Sequence, residues 1–530
     1  MTQQLPHTAG AALNAAPAVA RVMLSVVILG SAAVATGILP PAAARDTHVR
    51  VRPEAPVTAM NRSIEAANNS PTLLADPTDS RFVVLANRLD GPDYSCALQA
   101  SGDSGRSWRT VTPVPTLPEG AEKCYAPEVA FDRSGTLHYL FVGLAGGGNA
   151  PMGAFLTTSS DRGRNFSAPR RVLGPHEYAV RMAIDREHGS RGRIHLVWLH
   201  ATTPPALGGY GPPPNPILSA YSDDGGNSFS QPAQVSDPTR RVVAPVLALG
   251  PDRRVHIAYY DLESDAVDYQ GLEGPVYDGT WSLVMRTSTD GGASFDEGAF
   301  VERSIVPWER VMLIFTMPPP SVAVGEGRLC VGWPDARHGD ADVLVRCSSN
   351  GGRTWAPARR ANDDQVDSGA RQYLPRLSFA PNGRLDVAFY DRRDTREHLA
   401  TSVYYSYSRD GGRSFAPNVK LTKEPMDPRI GPRYLVKSAR GQVEFGSRLA
   451  LLSQRDTVLV AWTDTLNSRP RSAAQDIFLT EVALPSSGRR PGWKQLLGAG
   501  SLAGAGLILV VSRRRRSRRK EQVREPVATA

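Results

Sequence analysis

Three arginines and one glutamate hold matching places in a sequence that otherwise repeats apolar patterns. Glu128 lies in Pro127-Glu-Val-Ala-Phe131, Arg181 in Val180-Arg-Met-Ala-Ile184 and Arg376 in Pro375-Arg-Leu-Ser-Phe379. The full series of such places is Thr72, Glu128, Arg181, Val246, Ser321, Arg376 and Arg448. A guanidinium is a planar, permanently charged fork that suits a carboxylate. Three of them brought together would make a seat for an acidic group. The bland alternative is that Arg and Glu simply pair with each other and stabilise what they line. Other chemistry finds little support. No His/Cys/carboxylate group has zinc spacing, and there is neither a phosphate-binding glycine loop nor a Gly-x-Ser-x-Gly elbow. Neither a metal nor a cofactor is expected. Asp261, Asp335, Asp391 and Asp464 recur at one place and read first as loop caps, and His138, His195 and His256 read as packed strand residues.

The elements that must position these residues are strands. Ser-x-Asp-x-Gly-x-x-aromatic occurs six times, at Ser101/Asp103/Gly105/Trp108, Ser159/Asp161/Gly163/Phe166, Ser222/Asp224/Gly226/Phe229, Ser288/Asp290/Gly292/Phe295, Ser348/Asn350/Gly352/Trp355 and Ser408/Asp410/Gly412/Phe415. The first serines stand 58, 63, 66, 60 and 60 residues apart. Ser and Asp side chains can accept backbone N–H bonds within a hairpin turn. Gly permits positive φ, and the aromatic returns into a core between sheets. Asn350 can accept as Asp does, so all six acidic or amide residues read as structural. Before each turn come two strand patterns: an alternating one and one ending in an aromatic, often followed by Asp. Counting the alternating strands gives seven units, the last ending in Asp476-Ile-Phe-Leu-Thr-Glu481 without the turn motif.

The repeat resembles the Asp-box repeats of sialidases and related β-propellers, over roughly residues 60–484. The resemblance implies an all-β chain, a propeller of Asp-box repeats at residues 70–484. Seven blades are favoured over the six of sialidases. The seventh unit lacks an outer strand, which Val49-Arg-Val51, within the extended segment 45–69, can supply. In such propellers the box turns lie away from the active site, so the seven matching residues should ring the opposite mouth of the channel. Sialidases hold the carboxylate of sialic acid with three arginines, and use a Tyr paired with Glu as nucleophile and an Asp as acid/base. By resemblance Arg181, Arg376 and Arg448 would be the trio, Glu128 would activate Tyr125 or Tyr373, and Asp391 would be the acid. Two departures stand out. The Phe/Tyr-Arg-Ile-Pro motif is absent from the first unit, and the three arginines fall in units 3, 6 and 7.

The ends of the chain carry addresses. Val22 to Leu39 is an apolar run after Arg21, with Ala42 and Ala44 behind it, so residues 1–44 read as a secretory signal. Leu496 to Val511 is a second apolar run. Residues 496–512 read as a short transmembrane helix after a linker, 485–495, and the basic tail 513–530 as its cytoplasmic anchor. Leu484-Pro-Ser-Ser-Gly488 resembles the sortase signal LPxTG of Gram-positive surface proteins, with Ser487 in place of Thr, and implies cell-wall attachment as an alternative. Four cysteines fit an oxidising compartment, as Cys330 with Cys347 on one hairpin and Cys96 with Cys124.

The net charge of +9 belongs to these ends. Residues 1–44, 485–512 and 513–530 contribute +1, +3 and +6, which leaves 45–484 at −1. A nucleic-acid partner is therefore excluded as a general property of the middle. The expected protein is an extracytoplasmic, single-pass, membrane-anchored propeller that binds a glycan or an extracellular protein through its loop-rich face. Thr202 to Pro216 is a Pro/Gly loop suited to that face. The alternative is an exo-sialidase-type glycoside hydrolase cleaving terminal sialic acid or a related acidic sugar.

Overall fold

A computed structural model describes residues 48–485, apart from 59–66, 91–92, 112–115, 148, 202–214, 266–276, 309–318, 428–429, 432–444 and 468–473. The signal segment, most of the Pro/Gly loop, residues 486–488 of the sortase-like pentapeptide, the transmembrane run and the basic tail lie outside the described residues. Among the described residues no helix is long and apolar enough to cross a membrane.

Seven antiparallel sheets follow one another along the chain, so the architecture is a seven-bladed, all-β propeller. Blades 1 to 6 have four strands each in sequential order. Their inner strands are Ala67–Ala75, Lys123–Phe131, Glu177–Asp185, Val242–Leu249, Ser321–Gly325 and Gln372–Phe379. Blade 7 runs Ala450–Ser453, Thr457–Asp464, Asp476–Ala483, and its outer edge is filled from the other end of the chain. Arg50–Val51 pairs with Ala483 and Val482, and Ala55–Pro56 with Leu479 and Phe478. The ring is thereby closed by strand pairing between residues over 400 positions apart. A closed ring leaves few free edges.

The core is divided among the seven seams between neighbouring blades. The 4–5 seam holds Met285 against Trp333, the 6–7 seam Tyr390 against Trp462, and the 7–1 seam Leu85 against Leu459 and Ile477. Each box aromatic packs into the seam with the preceding blade: Trp108, Phe166, Phe229, Phe295, Trp355 and Phe415. The boxes themselves are closed by local bonds. In the fourth, Gly292 N–H donates to Ser288 Oγ (2.8 Å), and Ser288 Oγ donates to Asp290 Oδ1 (2.7 Å). Asp290 Oδ1 also accepts the N–H groups of Ala293 and Ser294 at 3.0 Å. Asn350 repeats the pattern, taking Thr354 N–H at 3.0 Å. Gly292 has φ +91°, a region open to Gly and costly for side chains. Disulfides join Cys330 to Cys347 across blade 5 and Cys96 to Cys124 between blades 1 and 2.

Candidate functional site

The ring of seven matching residues is built by a repeated backbone device. Two residues before the ring position the chain turns left-handed: Ser70 (φ 55°), Ala126 (49°), Ala179 (50°), Ala244 (55°), Leu374 (51°) and Gly446 (86°). In blades 1, 2, 3, 4 and 6 the register slips here, between Asn69 and Thr72, Tyr125 and Glu128, Tyr178 and Arg181, Val243 and Val246, and Tyr373 and Arg376. Each slip is a β-bulge, one extra residue that re-aims the side chains beyond it. Left-handed φ costs an ordinary residue about 1–2 kcal/mol, and five of the six are not glycine.

The bulges bring Glu128, Arg181 and Arg448 together. Arg181 Nη1 donates to Glu128 Oε1 at 2.7 Å, and Arg448 Nη1 lies 2.8 Å from the same oxygen. The two guanidiniums therefore sit as close as two bonds on one atom allow. Arg448 comes from blade 7 and crosses blade 1, whose ring residue Thr72 is small; its Nη2 also donates to Pro127 O at 2.9 Å. The side chains of Glu128, Arg181 and Arg448 are 10%, 14% and 11% exposed. Burial alone would push the Glu128 carboxyl up, but Arg448 and Arg181 outweigh it and hold it below its ordinary value. Arg448 is brought down to about 10, first by burial and, against the pull of Glu128, by Arg181, Arg376 and Arg88.

Arg376 is within electrostatic reach of Glu128, Arg181 and Arg448. Among the described residues its side chain makes no hydrogen bond and no ion pair, and Arg448 Nε is buried without an acceptor. Three cations thus face one carboxylate, a charge of +2 in a part-buried channel. The ring residues of blades 4 and 5, Val246 and Ser321, bring no charge. Toward the Asp-box end the channel widens into a cavity of about 770 Å³ with walls such as Leu74, Phe131, Met182 and Leu452.

Tyr373 and Asp391 are engaged elsewhere. Tyr373 Oη is 3.0 Å from Thr401 Oγ1, and its ring stacks on Tyr390 at 5.5 Å. Asp391 accepts Arg393 Nε and Nη2 (2.9 and 2.8 Å) on Oδ2 and the Arg393 N–H (2.8 Å) on Oδ1. It caps its loop as Asp261, Asp335 and Asp464 cap theirs, each taking the N–H two residues on. Burial raises the Asp391 carboxyl, with Arg393 opposing.

Sequence reasoning missed Arg88 and Asp90. Arg88 donates through Nε and Nη2 to Asp90 Oδ2 (3.0 and 2.7 Å) and through Nη1 to Tyr125 Oη (2.6 Å). Asn69 Nδ2 donates to the same Asp90 oxygen at 2.9 Å, Ser70 Oγ to Asn69 Oδ1, and Ser447 N–H to Ser70 Oγ. This network ties blades 7, 1 and 2 beside the arginines. A signal did exist. In the second strands of blades 4 to 7 the residue two before the Asp is aromatic, and Trp333 and Trp462 donate Nε1–H to that Asp. In blade 1 that residue is Arg88, a charged donor that also reaches Tyr125. Among the described residues no group of three or more His, Cys, Asp or Glu could hold a metal ion.

Comparison with known families agrees with this architecture. Residues 216–459 match the family described as BNR repeat-like domain. No curated protein matches the chain. Among solved structures, a protein of unknown function from Dyadobacter fermentans DSM 18053 is 14% identical, with a TM-score of 0.44 over 82% of this chain and 99% of that one. The Hadza microbial sialidase Hz136 is 15% identical, with a TM-score of 0.41 over 76% and 73%. The NanB sialidase of Streptococcus pneumoniae, in a mutant form, is 12% identical, with a TM-score of 0.38 over 81% and 71%. From the second half of blade 3 into blade 7, this seven-bladed Asp-box propeller is similar to the BNR repeat-like domain.

Proposed function

We propose that the protein is an extracytoplasmic, membrane-anchored propeller that binds an acidic sugar of a glycan in its arginine-lined channel and does not hydrolyse it. The observation that carries this is Arg376, a part-buried cation whose side chain has no bonded partner among the described residues, beside two arginines that already share Glu128. A buried guanidinium left without a counter-ion is costly, and a carboxylate on a ligand would supply one. Hydrolysis is disfavoured because the groups it would need are committed. Glu128 holds two arginines, Tyr373 is bonded to Thr401, and Asp391 is locked onto Arg393. Anchoring rests on the apolar run 496–511 and the basic tail. Leu484, the first residue of the sortase-like pentapeptide, is 7% exposed within the 6–7 seam. A transpeptidase needs that pentapeptide free, so the membrane anchor is the reading carried forward.

The test is binding and turnover on one preparation. Sialic-acid- or uronic-acid-bearing oligosaccharides should bind, with neutral counterparts at least tenfold weaker, and Arg376→Ala should remove that preference. A fluorogenic sialoside should not turn over. Turnover abolished by Arg376→Ala would instead establish the exo-sialidase reading, and equal binding of acidic and neutral sugars would sink both.

A further inference from the structure

Both ends of the described chain leave the propeller at one place. Arg50 pairs with Ala483 and Val51 with Val482, so the incoming and outgoing segments are antiparallel neighbours. Leu484 N–H donates to Asp456 O (2.9 Å), in the turn between the first two strands of blade 7. Arg409 Nη2, in the sixth Asp box, donates to Pro485 O at 3.0 Å. Val49 packs against the 6–7 seam. These turns and boxes all belong to the Asp-box face, opposite the loops that precede the inner strands. The apolar run 496–511 therefore follows in sequence from the Asp-box face at blades 6 and 7.

From this geometry we infer that the protein stands on a lipid bilayer with its Asp-box face inward and the loop face, with its arginine-lined mouth, pointing away. The inference rests on the anchoring proposed above and adds the orientation. Ten residues, 486–495, separate Pro485 from the apolar run. Fully extended they span at most about 33–36 Å. An inner strand of 9 residues is itself about 30 Å long. To turn the loop face toward the membrane, the linker would have to run the height of the blade with almost no slack. With the Asp-box face inward it needs only a fraction of that reach. The surface around the exit suits anionic headgroups: Arg409 and Arg413 of the sixth box and Arg455 of the blade 7 turn are exposed there, against Asp410 and Asp456. Each arginine near an anionic leaflet adds about 1 kcal/mol of attraction.

Two labelling positions on blade 6 decide the matter. Arg413→Cys lies in the Asp box, and Glu397→Cys in the loop after the second strand. The native cysteines are all in disulfides, so only the new thiol takes a donor dye. The full chain is placed in vesicles of phosphatidylcholine and phosphatidylglycerol carrying a headgroup-linked acceptor. Energy transfer from position 413 should exceed that from 397 by at least twofold. Equal or reversed transfer, in a chain that floats with the vesicles, overturns the orientation and leaves the anchor standing. A chain that does not float overturns the anchor, and the orientation with it.

Discussion

Glu128→Gln is the substitution on which the reading of the channel turns. The carboxylate accepts Arg181 at 2.7 Å and Arg448 at 2.8 Å on one oxygen, in a residue 8% exposed. At an effective dielectric of about 20, a charge pair at about 4 Å attracts by about 4 kcal/mol. Two such attractions set against the burial of three groups leave a modest net gain. Removing the shared partner is another matter, because it strands two buried cations. Breaking a buried pair in that way costs about 3–5 kcal/mol. Arg376→Met should behave oppositely. Among the described residues the Arg376 side chain makes no bond, and burial and Arg181 disfavour its charge against the pull of Glu128, so an apolar chain of similar length should be neutral or stabilising by about 1 kcal/mol. The two changes should also couple, since the field of Glu128 is what favours the Arg376 charge. In the Glu128→Gln background, Arg376→Met should recover at least about 0.5 kcal/mol more than alone. Equilibrium urea unfolding followed by tryptophan fluorescence measures all three variants. A Glu128→Gln loss below about 1 kcal/mol, or an Arg376→Met loss matching it, would refute the idea that one carboxylate holds the trio while Arg376 waits for an external anion.

The fold itself sets three further outcomes. Ser288→Ala should cost about 1–3 kcal/mol in urea unfolding, because it leaves the buried Gly292 N–H without its acceptor; Asn350→Asp, which keeps every box bond, should stay within about 0.5 kcal/mol. Acid should unfold the protein progressively. Hydrogen bonds from Ser107 hold Asp103 at about 2, and those from Ser294 and Ser414 overcome burial to hold Asp290 and Asp410 at about 2, against an ordinary 3.8. Depressed carboxyls stabilise above their unfolded value and lose that contribution as pH falls from about 4 to about 2. Glu128 shifts in the same direction, so circular dichroism unchanged between pH 5 and pH 2 would contradict it. Starting the chain at Val57 removes both strands that pair with Asp476–Ala483 and bares that edge; lower unfolding midpoints or self-association in light scattering are expected.

The fold was legible where its causes are local. An Asp box closes within eight residues, so its Ser, Asp and Gly can be read in order and counted, and the aromatic names the seam it enters. The ring positions were legible too, as matching places in alternating strands. Their partnership was not. Arg448 meets Glu128 from 320 positions away, across a blade whose ring residue happens to be Thr72, and no pattern along the chain encodes that reach. The bulges were equally silent, since Ala126, Ala179 and Leu374 are not residues that favour left-handed φ; only the proline directly after Ser70, Ala126, Ala244 and Leu374 marks them. Arg88 hid for the opposite reason. It stands two residues before its Asp, as the aromatics of blades 4 to 7 do, makes a like donation to Asp90, and reaches on to Tyr125.

What the folding rules do not explain is where the remaining charge is placed. Closing the ring needs the strand pairing of Arg50–Val51 and the packed seams, and neither involves Arg376. The Arg181–Glu128–Arg448 group satisfies its geometry with two cations on one oxygen. A third cation beside it weakens that arrangement. Uncompensated charge is what a binding site carries when its counter-ion arrives from outside. That is why an acidic ligand, rather than the stability of the channel, is the more economical account of Arg376.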